Sequence, residues 1–295
     1  MKELADSQVA ALFTTRKRPR LGLRGALTQV AVPWALLLVV MLVLARISAE
    51  LTPAASHWIS GTGFVVSASL IFAVQAFSAA ASRYPMVDQA AMAVLGLASA
   101  WLALQTGHAY VATVTGAVGV TALGWAIAHN VTRLMWIVPV GICASLSDVR
   151  SAYFGFTRDH FIGGRAGEVV VQATPHDVLY PVAAHAPHAL ELLTVNLPSP
   201  GGAWMLGMVD IMYAALLCSI VARYELGAAR TWVGLTGGLV VAAMVPTGVP
   251  VIPLLTIGFL AVHPLPAWRA VRYSLTQLAL IARSGVRHAQ TPHTP

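Results

Sequence analysis

Stretches of about 20 residues that carry almost no charge recur along the chain, and each is long enough for a helix to cross the hydrocarbon core of a bilayer. Eight such stretches are found, at residues 28–47, 60–81, 87–106, 109–128, 134–153, 203–222, 230–246 and 249–268. Only 10% of the residues are charged, whereas about a quarter are charged in soluble domains. The pattern predicts an all-α, polytopic transmembrane helical bundle of about eight helices, with the lipid bilayer as its surroundings.

The basic residues predict how the spans are oriented. If both chain ends lie on the cytoplasmic side, fourteen of the 18 Lys and Arg residues fall inside, and four fall outside: Arg46, Arg150, Arg158 and Arg165. Such a bias is typical of cytoplasmic segments, so both termini are predicted to be cytoplasmic. The basic N-terminal tail is expected to lie on the membrane surface and to bind no nucleic acid, because it lacks aromatic and Gly-rich interleaving.

Four regions follow from this arrangement. They are a basic cytoplasmic tail (1–27), an N-terminal four-helix membrane part (28–133), a second membrane part (134–268) with an outside loop at 154–202, and a basic cytoplasmic tail (269–295). In the loop, residues 168–172 are predicted to form a short strand. His185, His188 and Glu191 share one face of a helical turn, but their spacing is no recognised ligand pattern. We therefore predict no metal site and no cofactor.

Two carboxylates interrupt the apolar spans, and such residues usually mark functional sites. Asp148 lies about 21 Å along the outward-running fifth span, and Asp210 lies about 10 Å along the inward-running sixth span. In a hydrocarbon core about 30 Å thick, these positions have nearly the same depth. Asp88 lies at the start of the third span and is interpreted as a helix-end carboxylate. The sequence therefore predicts that Asp148 and Asp210 lie at one level on consecutive, antiparallel helices.

Two carboxylates held close together in a medium of low dielectric share one proton, as in aspartic proteases. One then takes a proton from water while the other polarises the scissile carbonyl. Two alternatives use the same residues. Asp148 pairs with Arg150 or Ser147 while Asp210 hydrogen-bonds a neighbouring helix, or both acids relay protons in a proton-coupled transporter.

Three segments resemble the motifs of the GxGD-type intramembrane aspartyl proteases, the family of presenilin and signal peptide peptidase with bacterial and archaeal relatives. The segment Gly207-Met-Val-Asp210 resembles the GxGD motif, with Val209 at the second glycine. The segment Ser147-Asp148 resembles the segment of the first aspartate, with Ser147 in place of tyrosine. Downstream, Pro250-Val251-Ile252 resembles the Pro-Ala-Leu motif of the last helix. The order along the chain also matches the family.

The resemblance implies an intramembrane aspartic endopeptidase that cleaves transmembrane helices or signal-peptide remnants. Asp148 and Asp210 would be the catalytic pair, and substrate would be bound by Gly207, Pro250, Val251 and Ile252. The expected partners are transmembrane peptides, and the expected location is a bacterial or archaeal inner membrane. A catalytically silent homologue that binds transmembrane segments is the alternative within the family, because Val209 and Ser147 depart from its motifs.

Overall fold

A computed structural model describes residues 23–51, 57–131, 137–154, 194–199, 204–244, 250–264 and 276. Within these ranges the chain is mostly helical and contains eight α-helices, as the apolar runs predict. They are α1 (Leu23–Leu51), α2 (His57–Ser78), α3 (Met86–Gln105), α4 (Ala109–Ala128), α5 (Ile137–Phe154), α6 (Met208–Tyr224), α7 (Ala228–Met244) and α8 (Val251–Val262). A 3-10 turn, Ala79–Arg83, extends α2.

Four of the described helices are long and apolar enough to cross a bilayer: Thr28–Leu51, Ile59–Arg83, Met86–Gln105 and Tyr110–Ala128. These helices indicate a membrane protein, and the prediction of a mostly helical fold with apolar helices long enough to span a bilayer is confirmed. Large apolar side chains on α1 and α3 are exposed, among them Leu36, Val39, Val94 and Leu102. Exposed apolar faces of this kind suit contact with lipid rather than water.

Turn chemistry explains where several helices end. Gly107 follows α3 with a φ of 76°, and Gly227 lies between α6 and α7 with a φ of 97°. Only glycine adopts this left-handed region without steric cost. Pro85 directly precedes α3 and Pro250 directly precedes α8, where the missing N–H of proline costs no helical hydrogen bond.

Close helix packing at glycines builds the interior around α6, which is buried along most of its length. A Cβ atom at Gly124 of α4 would lie 2.5 Å from the carbonyl oxygen of Met212 on α6, and one at Gly96 of α3 would lie 2.6 Å from Cα of Gly119 on α4. Small residues of this kind let helix backbones approach each other closely in membranes. Helix α6 is thereby fixed against α4 and, through α4, against α3.

Two arginines form hydrogen bonds that connect the C-terminal ends of α2, α4 and α6. The Arg223 guanidinium donates hydrogen bonds to the carbonyl oxygens of Ala128 (3.0 Å) and Val131 (2.7 Å), just where α4 ends. Arg83 donates to the carbonyl oxygen of Ala222 in the last turn of α6. Positive charge is favourable at helix C-termini, where carbonyl groups have no helical partner. The ends of α2, α4 and α6 therefore meet at one side of the bundle.

A β-hairpin precedes α6 and corrects one prediction. The hydropathy of residues 203–222 predicts a helix throughout, but Trp204–Gly207 forms strand β2, which pairs antiparallel with β1 (Thr194–Leu197). Helix α6 consequently begins at Met208. Hydropathy does not distinguish a short buried strand from the first turn of a buried helix, and both Leu197 and Leu206 are buried here.

The hairpin is anchored on α2. The Ser67 hydroxyl donates to the carbonyl oxygen of Pro198 at 2.9 Å, and the Ser199 hydroxyl donates to that of Ser60 at 2.6 Å. These bonds hold the segment that follows β1, and β1 in turn holds β2 through the strand register, which pairs Thr194 with Gly207 and Leu197 with Trp204. The start of α6 is therefore fixed in place by α2.

The remaining predictions for the long loop, the strand at 168–172 and the trio of His185, His188 and Glu191, lie outside the described residues. Among the residues that are described, no group of three His, Cys, Asp or Glu side chains is placed to hold a metal ion.

Candidate active site

Asp210 lies in the first turn of α6, directly after the hairpin. The backbone N–H of Gly207 donates a hydrogen bond to Asp210 Oδ2 at 3.2 Å. A carboxylate in this position satisfies an N–H group that has no helical partner, and it interacts favourably with the positive end of the helix dipole. The transition from β2 to α6 therefore orients the Asp210 side chain.

Gly207 is the residue that leaves room for this carboxylate. A Cβ atom at position 207 would lie 2.8 Å from Asp210 Oδ2 and 3.6 Å from its Cγ. The backbone of Gly207 has ordinary extended angles, with φ at −64° and ψ at 139°, so conformational freedom is not the reason for a glycine here. The space that the carboxylate needs is the reason.

Asp148 lies near the C-terminal end of α5 and reaches the start of α8. Its Oδ2 accepts a hydrogen bond of 3.0 Å from the backbone N–H of Ile252, and the N–H of Val251 is also directed at the carboxylate. Helix α8 begins at Val251, after Pro250. Asp148 therefore caps the N-terminus of a different helix with its side chain, an arrangement that stabilises a negative charge.

The two carboxyl groups are close enough to act on each other electrostatically. Neither has a Lys or Arg partner within salt-bridge distance among the described residues, where the ion pair found joins Arg46 to Glu50 on α1. The alternative in which Asp148 pairs with Arg150 is therefore not realised. The hydrogen bond that Asp210 accepts comes from Gly207, at the start of its own helix, whereas that alternative has Asp210 bonded to a neighbouring helix.

A polar contact lies one helical turn from each carboxylate. The Tyr213 hydroxyl, on α6, lies 2.8 Å from Thr256 Oγ1, on α8. Thr256 Oγ1 in turn donates to the carbonyl oxygen of Ile252 at 2.8 Å. Helix α5 passes beside this contact at Gly141, where a Cβ atom would lie 2.9 Å from Thr256 Cγ2 and 3.1 Å from the Tyr213 hydroxyl oxygen. Helices α5, α6 and α8 therefore converge at one point.

The two residues that depart from the family motifs are both exposed. Val209 is 56% exposed, and Ser147 is exposed as well. A residue directly before another on a helix points about 100° away from it. The branched side chain of Val209 consequently projects from α6 in a different direction from that of Asp210.

Of the residues named from the sequence, Asp148 and Asp210 interact electrostatically, and each contacts a segment that the resemblance assigns to substrate. Gly207 contacts Asp210, while Val251 and Ile252 contact Asp148 through their backbone N–H groups and Pro250 opens the helix that presents them. The prediction of equal depth assumed that the sixth helix begins at residue 203. That start is wrong, because the helix begins at Met208. In the structure Asp148 lies near the end of α5 and Asp210 at the beginning of α6.

Sequence reasoning missed Tyr213 and Thr256. The available signal was their spacing, because Tyr213 follows Asp210 by three residues and Thr256 follows Ile252 by four. Residues at these separations share one face of a helix. In an otherwise apolar helix, a polar side chain on the same face as a predicted site residue indicates a further polar contact near that site.

Comparisons of the chain with protein-family models, with curated proteins and with solved structures find no match. The chemistry of the site therefore depends on its own geometry. Two coupled carboxylates that are each oriented by a backbone amide, with no cation between them in the described part of the chain, are suited to share one proton and to exchange it with water.

Proposed function

We propose that this chain is an intramembrane aspartyl protease of the GxGD type, which hydrolyses peptide bonds in transmembrane helices or signal-peptide remnants. The observation that carries the proposal is that Asp148 is near enough to Asp210 to act on it electrostatically. The two acids lie on consecutive helices, with the order of motifs found in that family. Gly207 and the Pro250–Ile252 segment touch these same two acids, which supports a single site rather than isolated capping residues.

The hydrogen bonds suggest a role for each acid. Asp148 faces two N–H groups at the start of α8, and amide donors favour the ionised form of a carboxylate. Asp210 accepts one longer bond and lies beside Asp148, so a second negative charge there is unfavourable. In this proposal Asp148 is the general base and Asp210 carries the shared proton.

The reaction then follows the two-carboxylate scheme. Asp148 takes a proton from water while the water oxygen attacks the scissile carbonyl carbon, and Asp210 donates its proton to the carbonyl oxygen. The product of this step is a tetrahedral diol. A proton then passes from Asp148 to the amide nitrogen, the C–N bond breaks, and Asp210 recovers a proton as the carboxylic acid forms.

A transmembrane helix has to unwind locally before this attack, because its carbonyl groups are engaged in helical hydrogen bonds. Strand β2 ends at Gly207, next to Asp210, and an extended peptide can add to a sheet edge through main-chain hydrogen bonds. We therefore assign substrate binding to Gly207 and to the Pro250, Val251 and Ile252 segment on the opposite side of the carboxylates.

The decisive experiment uses the purified full-length protein in liposomes with a fluorogenic transmembrane peptide. Asp148→Asn and Asp210→Asn should each abolish cleavage, because an amide neither takes a proton from water nor donates one as a carboxylic acid does. Asp88→Asn is the matched control, since Asp88 is an exposed residue in the first turn of α3, and it should leave the rate unchanged. If both site variants cleave at the wild-type rate, the proposal is wrong.

One observation favours a second candidate, a silent homologue that binds transmembrane segments without cutting them. Each acid caps a helix N-terminus, and such a cap stabilises a protein without any catalysis. This candidate expects that both Asn variants lose thermal stability and that the wild-type protein co-purifies with intact single-span proteins. Cleavage of the peptide by the wild-type protein, and its loss in both Asn variants, would eliminate it.

A further inference from the structure

The Tyr213 and Thr256 hydroxyls have a defined direction of hydrogen bonding. Thr256 has a single hydroxyl proton, and it donates this proton to the carbonyl oxygen of Ile252. The contact of 2.8 Å between Thr256 Oγ1 and the Tyr213 hydroxyl must then use the tyrosine proton. Tyr213 donates to Thr256, and Thr256 donates to Ile252.

Ile252 is consequently held on both sides. Its carbonyl oxygen accepts from Thr256, and its N–H donates to Asp148 Oδ2. Tyr213 lies one turn after Asp210 on α6, so the chain of bonds runs from the turn that carries one acid to the amide that orients the other. Both Tyr213 and Thr256 are buried, which strengthens these bonds because water does not compete for them.

Helix α5 is brought to the same contact. A Cβ atom at Gly141 would overlap Thr256 Cγ2, at 2.9 Å, and would be in tight contact with the Tyr213 hydroxyl oxygen, at 3.1 Å. Asp148 lies seven residues further along α5, which is about two helical turns, so it projects from the same face. The contact therefore sets the spacing of the helix that carries Asp148 as well as that of α6 and α8.

We propose that Tyr213 and Thr256 are positioning residues that hold the Ile252 amide against Asp148 and fix the separation of the two acids. Neither touches the reacting atoms. Their role is to keep Asp148 in the geometry of a general base, and a loss of this geometry slows the chemical step more than it weakens substrate binding. This inference depends on the proposed protease function and adds two residues to it.

The test measures kcat and KM for cleavage of the transmembrane peptide by Tyr213→Phe, Thr256→Val, Thr256→Ser and the double variant Tyr213→Phe/Thr256→Val. Tyr213→Phe removes one buried hydrogen bond and should lower kcat about tenfold, whereas Thr256→Val removes both bonds of Thr256 and should lower kcat at least as much. KM should stay within about twofold in both variants. Thr256→Ser keeps the hydroxyl and should restore most of the rate. The double variant should be no slower than Thr256→Val, because both changes break the same chain.

Two matched controls separate positioning from a general effect on packing. Tyr84→Phe removes a buried hydroxyl that has no hydrogen-bond partner among the described residues. Thr236→Val removes the 3.0 Å bond between Thr236 and Ser69, which joins α7 to α2 and involves neither acid. Both should keep the wild-type kcat, and thermal unfolding of every variant identifies any that is poorly folded at the assay temperature.

The possible results are distinct. A wild-type protein that cleaves no peptide contradicts the protease function and this inference together. If the wild-type protein cleaves and Asp148→Asn does not, a kcat for Tyr213→Phe within twofold of the wild-type value overturns the positioning role alone. The same conclusion follows if Thr256→Ser is as slow as Thr256→Val, or if Tyr84→Phe is as slow as Tyr213→Phe.

Discussion

Replacing Gly207 by alanine should impair catalysis while leaving the fold almost unchanged. The new Cβ would lie 2.8 Å from Asp210 Oδ2, about 0.6 Å short of the 3.4 Å at which ordinary contact begins. The backbone at Gly207 is extended, so alanine fits it without strain. The carboxylate of Asp210 is therefore the group that has to move, and its bond from the Gly207 N–H is lost.

The size of the effect follows from that displacement. Moving a catalytic group by about 1 Å can cost about a hundredfold in rate, so a shift of about 0.6 Å predicts a loss in kcat of about ten- to a hundredfold. Stability changes little, because a lost helix cap costs about 1 kcal/mol while a change from glycine to alanine returns about 0.4–1 kcal/mol by restricting the unfolded chain.

The assay combines peptide cleavage in liposomes with thermal unfolding of the same preparations. Gly237→Ala is the matched control, because Gly237 is an exposed glycine of α7, and a Cβ atom added there would have nothing within 4 Å. It should keep the wild-type kcat and unfold at an equal or slightly higher temperature. A Gly207→Ala protein with a kcat within twofold of wild type would show that the position of the Asp210 carboxylate does not matter for cleavage, which would refute the reasoning.

Three further predictions concern the surroundings of the site. Val209→Gly should change kcat by less than about twofold because the valine side chain is largely exposed. A tenfold rise in kcat would show instead that the valine side chain obstructs the two acids. Gly141→Ala should lower kcat and should also lower the stability by about 1–3 kcal/mol, because its Cβ would overlap Thr256. An unfolding temperature equal to that of the wild type would contradict the close approach of α5. Arg223→Ala should cost about 1–3 kcal/mol of stability, since two carbonyl groups at the end of α4 lose their donor, with kcat unchanged well below the unfolding temperature.

The helical architecture was predictable because a bilayer leaves few alternatives for an apolar chain. Backbone polar groups in lipid must be satisfied internally, so apolar runs of about 20 residues become helices. The predicted span at 109–128 agrees with α4, Ala109–Ala128, and the span at 87–106 agrees with α3, Met86–Gln105, to within one residue at each end. Proline and glycine at the intervening turns fix these boundaries.

The site was only partly predictable. Asp148 and Asp210 are visible as charges in apolar segments, and their order with Gly207 indicates a shared site. The hairpin before α6 was not predicted, because Trp204–Gly207 becomes a strand only through pairing with Thr194–Leu197, a partnership between segments that hydropathy does not reveal. The capping of α8 by Asp148 was missed for the same reason, since it depends on a contact between distant residues.

Both acids are oriented by backbone amides at the beginnings of helices rather than by basic side chains. The local field at each carboxylate is therefore governed by the position and tilt of α6 and α8, which are mechanical properties of the bundle. Added salt screens charged partners, but it does little to amides buried between helices. Lipid thickness, in contrast, changes how transmembrane helices tilt. We accordingly expect the cleavage rate to depend on the acyl-chain length of the surrounding lipid far more than on ionic strength.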